Sequence, residues 1–217
     1  MDNQALYDYL SGFVTEHKKS LFEQNIHFRT RHLAVVLEDI FQPHNASAVI
    51  RSCDCFGIQD LHIIEERHLY RLNPEVAMGS SKWVDMLRYT KRAEAIAQLK
   101  KDGYRLVGTT PRAKLSIHDL PMTPKTALVF GTELTGLSEE MLQEVDEKVN
   151  IPMYGFTESF NISVSVAVSL NTLVNNLHRS EIDWQLSEAE KLAVKLDWAR
   201  RTLKNHEVLE REFSKLG

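Results

Sequence analysis

Short apolar runs alternate with helical stretches from about Leu33 onward, and this alternation limits the possible folds more than any other feature of the chain. Helices are predicted at 43–56, at 91–101 and from Ser138. The predicted strands are Leu33–Leu37, Leu61–Ile64, Trp83–Tyr89, Tyr104–Gly108, Thr126–Phe130 and Lys148–Ile151. Strands that alternate with helices form a mainly parallel sheet with helices packed on it. The sequence therefore predicts an α/β fold.

The segment Ile162–Leu170 alternates apolar and polar residues strictly. By period alone, such alternation is typical of a strand. Its continuation through Leu173, Val174 and Leu177 instead fits helical spacing. We predict a helix here, on that continuation and on the family resemblance described below.

The two ends of the chain differ from the middle. Residues 1–27 have the pattern of one or two helices, and residues 187–213 have the pattern of two more, with Leu, Val and Trp at helical spacing among Glu, Lys and Arg. The predicted domains are an N-terminal helical arm at 1–30, an α/β domain at 31–178 and a C-terminal helical extension at 179–217. The α/β core is thus expected to be flanked by helices.

The composition and residue spacing predict a folded protein that has no metal site and no membrane-spanning segment near its start. Of the 217 residues, 43% are apolar and 26% are charged, which is ordinary for a globular protein. The first 28 residues hold no apolar run long enough to cross a bilayer and no signal-peptide pattern, so a cytoplasmic location is expected. Cys53 and Cys55 diverge on a predicted helix and are expected to be reduced thiols. No residues have zinc-like spacing, so no metal is expected.

The net charge of −4 argues mildly against a nucleic-acid partner, but binding of phosphates depends on local cation density. Cations do cluster locally, and for any one cluster an ordinary solvated face is the better interpretation. The clusters that we predict to contact RNA, given the resemblance described below, contain Arg29, Arg31, Arg200, Arg201 and Lys204.

Two strands deliver polar loops at their carboxyl ends, where open α/β sheets bind ligands. Thr109 and Gly131 are therefore expected to lie near a ligand. No GxGxxG follows the first strand, which argues against a dinucleotide-type site, and no P-loop is present.

Three separated segments carry the remaining polar and glycine residues of interest, at 45–51, 130–138 and 151–161. Each segment also has a purely structural interpretation. Asn45 could cap a helix that bears Arg51 as a surface cation, residues 130–138 could be a glycine-rich connector with an exposed Glu133, and Ser159 or Asn161 could be a helix cap.

In their order and spacing, the three segments resemble the motifs of the SpoU/TrmH family of knotted methyltransferases. The resemblance implies a C-terminal trefoil knot, a homodimer with shared sites, and transfer of a methyl group from S-adenosyl-L-methionine to a ribose 2′-hydroxyl of RNA. It assigns Arg51 to activation of that hydroxyl and Glu133 to holding Asn45 and Arg51. The implied catalytic residues are Arg51, Asn45, Glu133, Ser159 and Asn161, and the implied cofactor-binding residues are Thr109, Gly131, Ile151, Pro152, Met153 and Phe160. The more usual family sequence has Asn where Thr132 stands.

The segment Leu33–Glu38, with Asp39 and Pro43–Asn45, is most similar to the tRNA-modifying subgroup of that family. This similarity implies methylation of a guanosine in the D-loop of tRNA, at position 18. Methylation of ribosomal RNA or of another tRNA position, and an RNA-binding relative without catalysis, are the alternatives. Retention of Asn45, Arg51, Glu133, Ser159 and Asn161 together argues against the noncatalytic alternative.

Overall fold

A computed structural model describes residues 2–40, 42–67 and 79–215. Within these ranges, seven strands form one sheet. The strands are β1 (Leu33–Glu38), β2 (Asp60–Ile64), β3 (Asp85–Tyr89), β4 (Arg105–Thr109), β5 (Leu115–Ser116), β6 (Thr126–Phe130) and β7 (Glu147–Asn150). The helices are α1 (Asn3–Ser11), α2 (Glu16–Ile26), α3 (Pro43–Cys55), α4 (Arg92–Lys101), α5 (Glu139–Glu144), α6 (Ile162–His178), α7 (Glu188–Thr202) and α8 (His206–Phe213), with short 3-10 turns at Ser80–Lys82 and Ile117–Asp119.

The sheet has the order β3-β2-β1-β6-β4-β7-β5, and every neighbouring pair is parallel. Val35 of β1, for example, pairs with Leu61 of β2 and with Leu128 of β6. The predicted α/β fold with a parallel sheet is confirmed. Strand β5 was not predicted, because two residues are too few to produce a periodic pattern.

Each face of the sheet is covered, which explains why the central strands are apolar without interruption. On one face, Leu33, Val35 and Leu37 pack in a core shared with α3 and α6. On the other face, Ala34 and Val36 pack in a core shared with α4 and α5. Burial of each large side chain contributes roughly 1.5–3 kcal/mol relative to exposure, so β1 is anchored from both sides.

Helix α3 begins at Pro43, and Gln42 is its N-cap residue without a side-chain cap hydrogen bond. Proline suits this first position because its missing N–H would have no helical partner. Just beyond Cys55 the chain turns at Gly57, which has a positive φ of 73°. Asn45 lies inside the first turn and is buried. Its interpretation as a helix cap is therefore wrong.

The segment from Ile162 to His178 is helical, as predicted, and Asn161 caps it by accepting a hydrogen bond from the Ser163 N–H. Ile162, Val166 and Leu170 are buried at helical spacing. They pack in the same core as the apolar residues of α3. Tertiary burial along one helical face thus overrides the two-residue alternation of the sequence.

The chain divides into two compact units, one from Thr30 to Trp184 and the other formed by the residues on either side of it. In the second unit, α1 and α2 pack with α7 from the other end of the chain. Phe22 and Trp198 lie at its centre, with ring centroids 5.5 Å apart. The helices of the two chain ends therefore form one compact unit.

Candidate active site

The three sequence motifs follow strands that are close neighbours in the sheet. β6 lies between β1 and β4, and β7 lies on the other side of β4. Because all these strands are parallel, the segments that follow them emerge at the same carboxyl edge. The motifs therefore meet at one edge of the sheet although they are far apart in sequence.

Asn45 links all three motifs through its side-chain amide. Its Nδ2 donates hydrogen bonds to Glu133 Oε1 and, at 2.8 Å, to Gln42 Oε1. Its Oδ1 accepts a hydrogen bond from Asn161 Nδ2 at 3.1 Å. Asn45, Glu133 and Asn161 thus form one hydrogen-bonded network, which we call the amide network.

One carboxylate oxygen of Glu133 does not take part in this network. Its Oε2 is buried and has no hydrogen-bond partner among the residues that the structure describes. A buried carboxylate oxygen without a partner is costly, so it favours a donor such as a hydroxyl or a guanidinium. The amide network therefore leaves one acceptor position of the Glu133 carboxylate unfilled.

Arg51 lies on α3 but on a different face from Asn45, since six residues correspond to about 240° of rotation. Asn45 is buried, whereas Arg51 is exposed. Within residues 2–40, 42–67 and 79–215, the Arg51 side chain has no hydrogen bond or ion pair. Its guanidinium is accordingly available to a phosphate or a hydroxyl, and it is not part of the amide network.

The loop that carries Glu133 is closed on itself. Thr132 N–H donates to Gly136 C=O at 3.0 Å, and Gly136 N–H donates back to Thr132 C=O at 2.9 Å. A Cβ on Gly131 would meet Gly136 main-chain atoms at 2.1 Å, so a larger residue cannot fit there without movement. Thr132 Oγ1 also accepts from the Thr135 N–H at 3.2 Å, which gives this threonine a turn-closing role in place of the family's usual asparagine.

A buried ion pair, which sequence patterns did not predict, holds the far end of this loop. Glu38, at the end of β1, accepts hydrogen bonds from Arg92 Nε at 2.7 Å and from both N–H and Oγ of Ser138, at 2.9 and 2.6 Å. Burial opposes the charge of Arg92, but the hydrogen bond and charge of Glu38 raise the pKa of Arg92. A charged residue at the end of an apolar strand was the one signal that could have pointed to this pair.

The residue after Glu38 has an unusual backbone. Asp39 has a positive φ of 55°, which is uncommon for a residue other than glycine. Its Oδ1 accepts a hydrogen bond from the Arg67 N–H at 2.7 Å, and its own N–H donates to Ile64 C=O. These bonds hold a left-handed turn where β1 leads into the first motif.

The segment after β7 has a main chain with few hydrogen bonds to the rest of the described structure. Within the part of the chain that the structure describes, the backbone of residues 152–160 forms no hydrogen bond outside regular helices and strands. Ile151, Pro152 and Met153 are half-buried, while Ser159 and Phe160 are exposed. Thr109 lies at the end of β4 and donates from Oγ1 to Val129 C=O at 2.9 Å. This edge thus combines free backbone donors and acceptors with an apolar surface.

The five cations predicted to contact RNA have different surroundings. Arg29 is only 4% exposed, and its guanidinium lies 5.2 Å from the centre of the Trp198 ring. Because Arg29 is buried, it has a packing role. Its position does not agree with the predicted contact to an RNA phosphate. Arg31 forms ion pairs with two aspartates, Asp60 and Asp85. These contacts give Arg31 a structural role within the unit from Thr30 to Trp184.

The other three predicted cations lie at the end of α7 and just beyond it. Arg200 pairs with Glu210 at 2.8 Å and with Asp197 at 3.0 Å. Arg201 is half-buried, and Lys204 is exposed. Lys204 is therefore the most accessible of the five.

Comparison with known proteins identifies the family. Residues 32–171 match the model of the SpoU rRNA methylase family. The chain belongs to the SpoU rRNA methylase family. The tRNA (guanosine(18)-2′-O)-methyltransferase of Borreliella burgdorferi is 46% identical over 202 residues, which cover 93% of each chain. The enzyme of the same name from Thermus thermophilus is 34% identical over 72% of this chain and 81% of its own.

A solved structure agrees with this membership. The TrmH/SpoU tRNA modifying enzyme of Aquifex aeolicus superposes with a TM-score of 0.78 at 27% identity, covering 87% of this chain and 98% of its own. The match to the SpoU methylase model includes the elements that carry the amide network, from β1 into α6. Across the described residues, no helix is long and apolar enough to span a membrane. The same residues contain no cluster of side chains that could hold a metal ion.

Proposed function

We propose that this protein is a tRNA (guanosine(18)-2′-O)-methyltransferase that uses S-adenosyl-L-methionine. The observation that carries the proposal is the amide network, because it joins residues of all three motifs at the carboxyl edge of the sheet. The names of the Borreliella burgdorferi and Thermus thermophilus relatives supply the RNA position.

The reaction requires in-line attack by a ribose 2′-oxygen on a methyl carbon bound to sulfur. A carbon–oxygen bond would form, the carbon–sulfur bond would break with its electron pair going to sulfur, and the hydroxyl proton would pass to Arg51 or to water. The protein's main task is to align the two reactants and help remove the proton. In the proposal, Arg51 grips the adjoining phosphate and polarises or deprotonates the hydroxyl, and the amide network fixes the neighbouring Ser159–Asn161 segment.

The residues proposed to hold S-adenosyl-L-methionine fit its chemistry. An adenine needs backbone donors and acceptors beside an apolar surface. The backbone of residues 152–160 has no hydrogen-bond partner among the described residues, and it lies next to half-buried side chains. The proposed contacts are Thr109, Gly131, Ile151, Pro152, Met153 and Phe160. When bound, the cofactor supplies an activated methyl group. The trefoil knot implied by the resemblance is part of this proposal.

The tRNA contacts in this proposal are assigned to the helical unit formed by the two chain ends. Lys204 is the favoured contact, since it is exposed, whereas Arg29 is buried, Arg201 is half-buried, and Arg31 and Arg200 bind carboxylates. A cytoplasmic location is also proposed, because the proposed substrate is tRNA and neither cysteine forms a disulfide.

A homodimer is proposed on the basis of an exposed apolar surface. Val164 and Val168 are exposed one helical turn apart on α6, and Tyr154 and Phe156 are 98% and 108% exposed in the preceding loop. Exposed large apolar side chains of this kind favour an interface, and a second copy of the chain is the proposed occupant. A Val164→Glu/Val168→Glu variant should sediment as a monomer and lose methyl transfer. An active wild-type monomer would exclude a shared site.

The substrate is tested by mapping 2′-O-methylation after the purified protein is incubated with total RNA and labelled cofactor. We expect label at guanosine 18 of tRNA, and none in a tRNA transcript with adenosine at that position. Label in ribosomal RNA but not in tRNA would replace the proposed substrate with the ribosomal one. Absence of label in any RNA, with cofactor bound, would favour a noncatalytic RNA-binding protein.

A further inference from the structure

The loop between β4 and β5 lies between two motif segments. β4 has β6 on one side and β7 on the other. The loop that carries Glu133 follows β6, and the segment 151–161 follows β7. Because these strands are parallel, residues 110–114 leave the sheet at the same edge as both motifs. This loop is therefore placed at the centre of the candidate active-site edge.

The loop is held to β7 by hydrogen bonds. Thr110 N–H donates to Val149 C=O at 2.9 Å, and Asn150 Nδ2 donates to Ala113 C=O at 2.6 Å. A further bond from Ala113 N–H to Thr110 C=O, at 3.2 Å, closes a turn. Side chains carried by this loop consequently have a defined point of attachment, which lowers the entropy lost when they bind a partner.

Two cations project from this loop. Arg112 and Lys114 are exposed, and neither side chain has a hydrogen bond or ion pair within residues 2–40, 42–67 and 79–215. Other cations of the same unit bind carboxylates, for example Arg88 with Glu65 and Lys100 with Glu144. Two unpaired positive charges at a ligand-binding edge suit a partner with more than one negative charge.

We propose that Arg112 and Lys114 bind RNA phosphates beside the nucleotide that is methylated. The inference rests on the proposed function and names a phosphate contact within it. An RNA strand brings a negative charge with every nucleotide, so two neighbouring cations can bind successive phosphates. The cofactor is a poorer partner, because its sulfonium and ammonium groups outweigh its single carboxylate and two cations would repel it.

The test compares wild type with Arg112→Ala/Lys114→Ala by measuring tRNA affinity over a range of salt concentrations. Each lost phosphate contact should lower the salt slope by about 0.7–0.9, so the double variant should lose about 1–2 units of slope and bind tRNA at least several-fold more weakly at low salt. Cofactor affinity and the unfolding midpoint should stay at the wild-type values.

A matched control removes the same charge from the other end of β4. Lys100→Ala/Lys101→Ala changes two exposed lysines at the end of α4, just before β4 begins. This control should keep the wild-type salt slope, and Arg112→Lys should retain most of the slope that Arg112→Ala loses. An equal loss in the control would show that net charge alone sets the affinity, which would overturn the proposal.

Three other outcomes would also overturn it. An unchanged salt slope in Arg112→Ala/Lys114→Ala, with wild type methylating tRNA, would refute the phosphate contact while the proposed function stands. A loss of cofactor affinity would assign the two cations to the cofactor carboxylate instead. If wild type neither methylates nor binds RNA, the proposed function and this inference fail together.

Discussion

Asn161 Nδ2 donates a hydrogen bond to Asn45 Oδ1 at 3.1 Å, although 116 positions separate the two residues. This bond decides which way the Asn45 amide faces. With its oxygen bound to Asn161, the amide must present its nitrogen to Glu133 and Gln42, and both accept hydrogen bonds from it. The orientation of one side chain therefore couples the first motif to the other two.

The first prediction reverses the polarity of this network. Asn45→Asp places a carboxylate against buried Glu133, so we expect the free energy of unfolding to fall by about 1–3 kcal/mol, with a loss of kcat. Adding Glu133→Gln restores a donor and acceptor pair and should recover part of that stability. Denaturant unfolding of the four proteins measures the coupling. If the two substitutions change the free energy of unfolding additively, Asn45 and Glu133 are not coupled and the proposed network is wrong.

The second prediction concerns Arg51, which is exposed on α3. Arg51→Ala should abolish methyl transfer, change the free energy of unfolding by no more than about 0.5 kcal/mol, and leave cofactor affinity intact. Arg51→Lys should also fail largely, because lysine cannot reproduce the planar fork on a phosphate. Calorimetric titration with the cofactor and a methyl-transfer assay separate the two effects. A comparable loss of cofactor affinity would show that Arg51 contacts the cofactor and not the RNA.

The third prediction compares two glycines of the motif loops. Gly131→Ala forces a Cβ against the main chain of Gly136, so we expect destabilisation of roughly 1–3 kcal/mol and a displaced Glu133 with low activity. Gly155→Ala is the matched control, because a Cβ there meets nothing within 4 Å. Thermal unfolding and activity are measured for both. Equal effects in the two variants would argue that loop flexibility, not close approach, accounts for the glycine.

The fourth prediction concerns acid stability. Burial lowers the pKa of His62 to about 4, and this ring stacks on Tyr89. The folded state therefore keeps the imidazole neutral, whereas the unfolded chain takes up the proton near pH 6.5. Stability present above pH 6.5 should fall as the pH drops from about 6.5 to about 4, by up to roughly 3 kcal/mol from this residue.

The control for that prediction is a histidine on the surface. His62→Gln should flatten the dependence of the free energy of unfolding on pH in this window, whereas His118→Gln, at an exposed position, should leave the dependence as in wild type. Urea unfolding at several pH values between 4 and 7.5 provides the comparison. An unchanged slope in His62→Gln would assign the acid sensitivity to other groups.

Local patterns in the sequence were sufficient to predict the parallel sheet and the main helices that pack on it. Apolar runs such as 33–37 and 126–130 became central strands because both faces of the sheet are covered. Pro43 and Gly57 bracketed α3, since each has a backbone preference that acts over one or two residues. Motif resemblance pointed to the residues at the carboxyl edge.

Tertiary structure decided what depends on distant partners. Residues from Ile162 onward form a helix because one helical face is buried against the core that α3 shares. Arg29 packs beside Trp198, and Glu38 accepts a hydrogen bond from Ser138. In each pair the two residues are 100 or more positions apart in the sequence. Sequence periodicity reports only on neighbours along the chain, whereas burial and hydrogen bonding are set by whichever residues the fold brings together.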